Sequence, residues 1–151
     1  TETQSLKARK LGSFRSVLVA SPDYLTRRGA PETPSDLATH DCIIDTNRRN
    51  ARSWAFGPDP TSLAVAVRGR FQVNSARAAV ELAAKGLGIA YTPRFACTDA
   101  LAAGQVVQVL ADQPSEGNPL NAVYLEGRVL PRKIRALIDF AAEDLRATDI
   151  L

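Results

Sequence analysis

Asn74 and Ser75 form a polar pair between an apolar β-type run, Phe71-Gln72-Val73, and an amphipathic stretch that begins at Ala76. They stand where a helix starts. The first N–H groups of a helix lack partners within it, and the positive end of its dipole lies at the same place. A bound carboxylate or phosphate meets ready donors there. Tyr91-Thr92-Pro93 closes the next apolar run and offers a phenol, a hydroxyl and a rigid corner. The chemistry expected of Asn74, Ser75, Tyr91, Thr92 and Pro93 is therefore reversible binding of a small polar or anionic ligand. Each residue also has a plainer reading. Asn74 and Ser75 can merely cap the helix, Tyr91 can be core, and Thr92 can cap the helix that follows.

His40 and Cys42 invite a second reading, as a nucleophile with its base or as metal ligands. Two residues apart on a strand they share a face, but no third group orients them as a triad requires. A zinc site needs a second ligand pair, and none follows. Gly86-Leu87-Gly88 lacks the third glycine of a dinucleotide fingerprint and precedes a strand rather than a helix. The expectation is no catalytic residue, no metal and no cofactor. Cys42 and Cys97 lie in apolar surroundings and read as small buried hydrophobes, without a disulfide.

The elements that must position the polar groups alternate in type. Phe71–Val73 is a strand, Ser75–Lys85 a helix stopped by Gly86, and Leu87–Tyr91 a strand. Pro93–Ala103 is a second helix stopped by Gly104, and Val106–Leu110 a third strand. This β-α-β-α-β order predicts a parallel sheet with right-handed crossovers, whose carboxyl edge is where α/β folds bind small ligands. Upstream, Phe14–Ala20 is a strand, Ser21-Pro22 starts a short helix ended by Gly29, and Pro34–Ala38 is a helical turn. Cys42–Asp45 is a short buried strand. Ser53–Phe56 and Leu63–Val67 form a hairpin around a Gly-Pro-rich connection, with Trp54 and Phe56 facing the core. Asp112–Asn118 is a polar linker and Ala122–Leu125 a strand. Pro131 opens a helix to about Arg146 with an apolar stripe of Ile134, Leu137, Ile138, Ala141 and Leu145.

At 151 residues, with 45% hydrophobic and 23% charged side chains, the chain fits one ordinary globular domain. No run is long enough to span a membrane, and Thr1–Lys7 lacks the apolar block of a signal peptide, so a cytoplasmic location is expected. The net charge of +3 is scattered in short clusters such as Arg48-Arg49 with Arg52. These read as solvated surface or helix-end charge rather than as the dense basic face of a nucleic-acid binder.

Several stretches occur in the order of one known family. Ala8-Arg9-Lys10-Leu11-Gly12 precedes Val19–Leu25; Pro34-Ser35-Asp36-Leu37-Ala38-Thr39-His40-Asp41-Cys42-Ile43 follows; then come Trp54-Ala55-Phe56, Asn74, Gly86-Leu87-Gly88-Ile89-Ala90 and Leu130–Phe140. Over nearly its whole length the chain resembles the effector-binding domain of LysR-type bacterial transcriptional regulators. The resemblance implies an α/β fold of the type 2 periplasmic-binding-protein kind, with two lobes, two crossover strands and a ligand between them. It implies a complete second lobe over 21–118, a remnant of the first lobe and a crossover strand over 1–20, and a crossover strand with closing helix over 119–151. Hinges are then expected at Ala20, Ser21, Val123 and Tyr124. The family's N-terminal helix-turn-helix, linker helix and first half-lobe have no counterpart here. With no methionine anywhere, this implies a C-terminal fragment that reaches DNA only through the missing segment.

The partners implied are a small-molecule effector, such as a carboxylate or an aromatic, and further copies of the chain, with no membrane. The apolar stripe and the strands Phe14–Ala20 and Ala122–Leu125 would lack most of their first-lobe sheet, so all three are expected to be exposed and to mediate self-association. The helix Ala76–Lys85 is the alternative contact. An extracytoplasmic solute-binding protein shares the same architecture and is the competing function.

Overall fold

Short apolar runs between helix-start and glycine-stop signals become strands and helices in the computed structural model, which describes residues 5–57, 59, 61–115, 117–126 and 131–147. Contacts divide the chain into two units, Arg15–Gly117 and Thr1–Phe14 with Asn118–Leu151.

The larger unit begins with the second half of β1 (Leu6–Ala20). Ser21 accepts the N–H of Tyr24 at 3.0 Å and so caps α1 (Pro22–Arg28), which Gly29 ends at φ 77°. A 3-10 turn, Pro34–Thr39, is held at its start by the Asp36 carboxylate, which accepts from the N–H groups of Thr33 and Glu32 at 2.8 and 2.9 Å. Next come β2 (Cys42–Asp45), the hairpin of β3 (Ser53–Phe56) and β4 (Leu63–Ala66), and β5 (Gln72–Val73). Then α2 (Ala76–Ala84), β6 (Ile89–Pro93), α3 (Arg94–Ala102) and β7 (Val107–Val109) complete the unit.

The sheet order is β5-β2-β6-β1-β7. Strands β5, β2 and β6 are parallel, while β1 runs antiparallel to both β6 and β7. The strands of the β-α-β-α-β order, β5, β6 and β7, therefore all run parallel as expected, but β2 lies between the first two and the antiparallel β1 between the last two. The crossover through α3 skips one place, and β1 fills the gap. This corrects the expectation that Phe14–Ala20 presents an unpaired edge: Ser16–Val19 pair with β6 and Leu18–Ala20 with β7. Backbone N–H and C=O groups buried on both sides must be paired, and an interior position meets that demand.

Alternation along each strand sorts side chains onto two cores. Leu18, Ile44, Ile89 and Tyr91 pack with Tyr24, Leu37, Trp54 and Phe56 under the hairpin. Val17, Val19, Ile43 and Ala90 pack against Ala79, Ala83 and Cys97 under α2 and α3. At Gly88 the backbone comes close to a neighbour: a Cβ there would stand 2.5 Å from the carbonyl oxygen of Asp41. That carbonyl accepts the N–H of Ile89 at 2.8 Å, locking β6 beside β2.

In the smaller unit β8 (Gly117–Leu125) pairs with β1, and Glu126 donates its N–H to the Ser5 carbonyl at 2.9 Å. Strand β8 thus begins before the Ala122 expected, taking in part of what reads as linker. Lys7 pairs with Glu126 at 2.8 Å, and Arg9 pairs with Asp139 on α4 (Arg132–Ala147). The expectation of a wholly exposed stripe on α4 is also corrected. Ile138 is buried with Ala142, and Ala141 and Leu145 are half-buried, whereas Ile134 and Leu137 are exposed.

Candidate functional site

The registers of β5, β2 and β6 place Asp45 opposite Val73, and continuing the β2–β6 register places Thr92 opposite Asp45. The three parallel strands thus end together. Asn74, Thr46 and Pro93 follow one residue beyond. Helix α2 begins at this carboxyl edge, and α3 begins immediately after Pro93.

Ser75 accepts the N–H of Ala78 at 3.3 Å, so it caps α2. Asn74 is exposed, and its carbonyl accepts from Asn47 Nδ2 at 2.5 Å. Pro93 is half-buried and also accepts from the Cys97 thiol at 3.9 Å. Tyr91 and Thr92 are both buried, and as neighbours on one strand they point to opposite faces. Tyr91 enters the hairpin core. Its hydroxyl donates to the Ala55 carbonyl at 3.0 Å, and its ring stacks on Phe56 at 5.6 Å with 10° between planes. Thr92 faces the helices, fully buried, and its Oγ1 has no hydrogen-bond partner. An unmatched buried hydroxyl costs free energy, which makes it the most unusual polar atom at this edge. Asp45, also buried on the helix side, accepts the N–H of Asn47 at 3.0 Å.

Sequence reasoning passed over four residues here. Arg48, read as surface charge, lies with its guanidinium 4.1 Å from the Tyr91 ring centroid and donates to Ser16 Oγ at 3.1 Å. Such a cation over an aromatic face is attracted by the ring quadrupole. Ser16 is fully buried. Arg15 and Arg94 join Ser16 and Tyr91 around a cavity of about 320 Å3 on the hairpin side of the edge. Only the placement of β1 beside β6 brings these groups together, and no local spacing signals it.

The residues expected to hinge lie on three elements. Ala20 is buried and pairs with Val107, and Ser21 caps α1. Val123 and Tyr124 lie within β8. The unit boundaries fall at Phe14/Arg15 and Gly117/Asn118.

His40 and Cys42 do not work together. The Tyr24 hydroxyl is hydrogen-bonded to His40 Nδ1 at 2.7 Å and accepts the N–H of Asp41 at 3.2 Å. Burial, and then the nearby Arg28, hold the His40 pKa below its ordinary value. The Cys42 thiol donates to the Leu37 carbonyl at 3.6 Å, and burial pushes its pKa up to about 12, the reverse of what an activated nucleophile requires. Cys97 is likewise buried with its pKa raised, chiefly by burial, and both thiols are free. Among the described residues no helix is long and apolar enough to cross a membrane.

A mixed sheet with one inserted antiparallel strand, cores on both faces and polar groups at the carboxyl edge defines an α/β ligand-binding module of the type 2 periplasmic-binding-protein fold. The family model described as the LysR substrate binding domain matches residues 1–146, and the chain belongs to that family. It is similar to the HTH-type transcriptional regulator CrgA of Neisseria meningitidis, 30% identical over 145 residues that cover 95% of this chain and 48% of the relative. The HTH-type transcriptional activator AaeR of Escherichia coli is 30% identical over 138 residues, covering 91% of this chain and 45% of the relative. The chain therefore spans about half the length of the curated relatives it matches. Among solved structures, the regulatory domain of CrgA superposes with a TM-score of 0.80 at 29% identity, over 96% of this chain and 72% of that one. Full-length AphB of Vibrio cholerae superposes at 0.76 with 30% identity, over 92% and 48%. These relatives are transcription regulators, and the transporter reading is not favoured.

Proposed function

We propose that the chain is the effector-sensing part of a cytoplasmic LysR-type regulator and performs no chemistry on its ligand. A small molecule, a carboxylate or an aromatic, binds at the carboxyl edge formed by Asn74, Ser75, Tyr91, Thr92 and Pro93, and binding shifts a DNA-bound oligomer between states. One observation carries this reading: three parallel strands and the starts of two helices converge on an edge that holds a buried, unpartnered hydroxyl. Regulation requires the effector to prefer one state, and a coupling of about 1–3 kcal/mol is typical.

DNA contact in this reading belongs to a helix-turn-helix of the kind the relatives' names carry, not to the 151 residues themselves. A thermal-shift screen of small carboxylates and aromatics tests the sensing role, because a ligand selective for the folded state raises the melting temperature. A complete absence of hits across both classes would remove it. In a gel shift with excess competitor DNA the chain is expected to show no sequence-specific retention; specific retention would assign the DNA contact to the chain itself.

A further inference from the structure

The cavity beside Tyr91 has a charge character that the start of α2 lacks. Arg15 precedes Ser16 on β1, and Arg94 follows Pro93, the partner of Ser16, as the first residue of α3. Both side chains are exposed, both line the cavity, and among the described residues no carboxylate lines it with them. Among the described residues neither guanidinium makes a hydrogen bond or ion pair. Two like charges lining one cavity repel, and a bound anion relieves that repulsion. At the start of α2, by contrast, the neighbouring buried group is the Asp45 carboxylate, already of the sign a helix start attracts.

The remaining walls supply shape and hydrogen bonds. Gln108 on β7, with Gln113 and Ser115 in the turn beyond it, brings amide and hydroxyl groups. Phe56, Tyr91 and Leu110 make the apolar backing. Leu110 is the one described non-glycine residue with positive φ, at 50°. Its carbonyl accepts the N–H of Gln113 at 3.0 Å, closing the turn that carries Gln113 and Ser115 to the cavity. Left-handed backbone at a branched side chain is costly and concentrates at ligand clamps. A volume of about 320 Å3 lies at the small end of ligand sites, roughly 300–1,000 Å3.

We propose that this cavity recognises the charge of the effector, and that the effector is a small dicarboxylate. One carboxylate lies on the Arg15–Arg94 pair, and the other meets Gln108, Gln113 and Ser115. The proposal rests on the sensing reading above and adds Arg15 and Arg94 to its site as specificity-determining residues.

Titration calorimetry of the 151-residue chain with succinate, butyrate and inorganic sulfate is the test, run on the wild type and on Arg15→Ala, Arg94→Ala, Ser75→Ala and Arg70→Ala. Circular dichroism confirms that each variant is folded. Succinate is expected to bind at least roughly ten-fold more tightly than butyrate, the effect of a second charge-assisted contact. Each of Arg15→Ala and Arg94→Ala should weaken succinate by at least roughly ten-fold, while Arg70→Ala, at the opposite end of the sheet, leaves it unchanged. Succinate binding that survives both cavity variants but is lost in Ser75→Ala would move the anion to α2 and overturn the proposal, leaving the sensing role intact. Sulfate binding as tightly as succinate would show a bare anion site and overturn the dicarboxylate. Absence of succinate binding alongside thermal-shift hits from neutral aromatics would also overturn it, again sparing the sensing role. Only the failure of the whole screen would remove both.

Discussion

The two units of the chain bury their apolar residues very differently. In Arg15–Gly117 both faces of the sheet carry cores, and Trp54, Tyr24, Leu37, Ile43, Ile44 and Ile89 are all less than 2% exposed. In the other unit only Ile138 and Ala142 are buried hydrophobics among the described residues, while Leu6, Val123, Leu125, Leu137 and Phe140 are each 57–67% exposed. Strand β8 alternates between exposed and half-buried positions and has no fully buried residue. A sheet needs a covered face to gain from alternation, because burying a Leu, Val or Phe side chain is worth about 1.5–3 kcal/mol. The lesson is that the larger unit has the contacts of a self-sufficient fold, and the smaller one has a pattern still awaiting a cover.

The largest expected effects separate the two units. Trp54→Ala removes a ring packed on Tyr91 at 5.5 Å and should cost about 3–5 kcal/mol in urea unfolding. A cost near zero would mean the hairpin core is far looser than its burial indicates. Next is the Tyr24 hydroxyl. Tyr24→Phe leaves the Asp41 N–H and His40 Nδ1 without that partner and should cost about 1–3 kcal/mol.

His40 adds a pH dependence. Its pKa is lowered in the fold, so the unfolded chain binds the proton more readily. The contribution is complete above the ordinary value of 6.5 and is lost as pH falls from there towards the folded pKa. Urea midpoints should therefore drop between about pH 8 and pH 5, the range of histidine titration, and His40→Gln should flatten that drop. An unchanged slope in the variant would assign the effect elsewhere.

Smaller effects sharpen the contrast between packing and binding. Thr92→Val replaces an unpartnered buried hydroxyl with a methyl of similar shape, so stability should stay level or rise by about 1 kcal/mol. If effector binding falls in the same variant, the hydroxyl serves the ligand; a loss of stability would show that it is already satisfied within the chain. Smallest of all on stability is Leu137→Ser with Phe140→Ser on α4, expected to change it by less than about 0.5 kcal/mol per site. Its readout is assembly. We expect the unaltered chain to self-associate in sedimentation at micromolar concentration through α4 and β8, and the double variant to sediment as a smaller species. A monomer in both cases would sink that expectation and leave the exposed face for other cover.

Local pattern carried most of the element boundaries. Ser21 and Gly29 bracket α1, and Ser75 and Gly86 bracket α2, because caps and left-handed stops act over a few residues. Trp54 and Phe56 share a strand face by parity and both are buried. Tyr91 could be read either as core or as site, since its ring lies in the core and its edge meets a cavity. The arginines were not legible as a group. Arg15, Arg48 and Arg94 are far apart in sequence, and charge alone resembles any solvated surface.

The sequence by itself determined that this is an α/β chain of the LysR substrate-binding family, with polar groups at a helix start and strand ends, because periodicity, caps and motif order are local. The tertiary structure decided that β1 is an interior antiparallel strand rather than an open edge, that Thr92 is sealed beneath the helices, and that Arg15 and Arg94 line one cavity. Strand order and register have no local code. They follow from which pairing buries both apolar faces and satisfies every interior backbone group at once, and that condition can be met only by the whole fold.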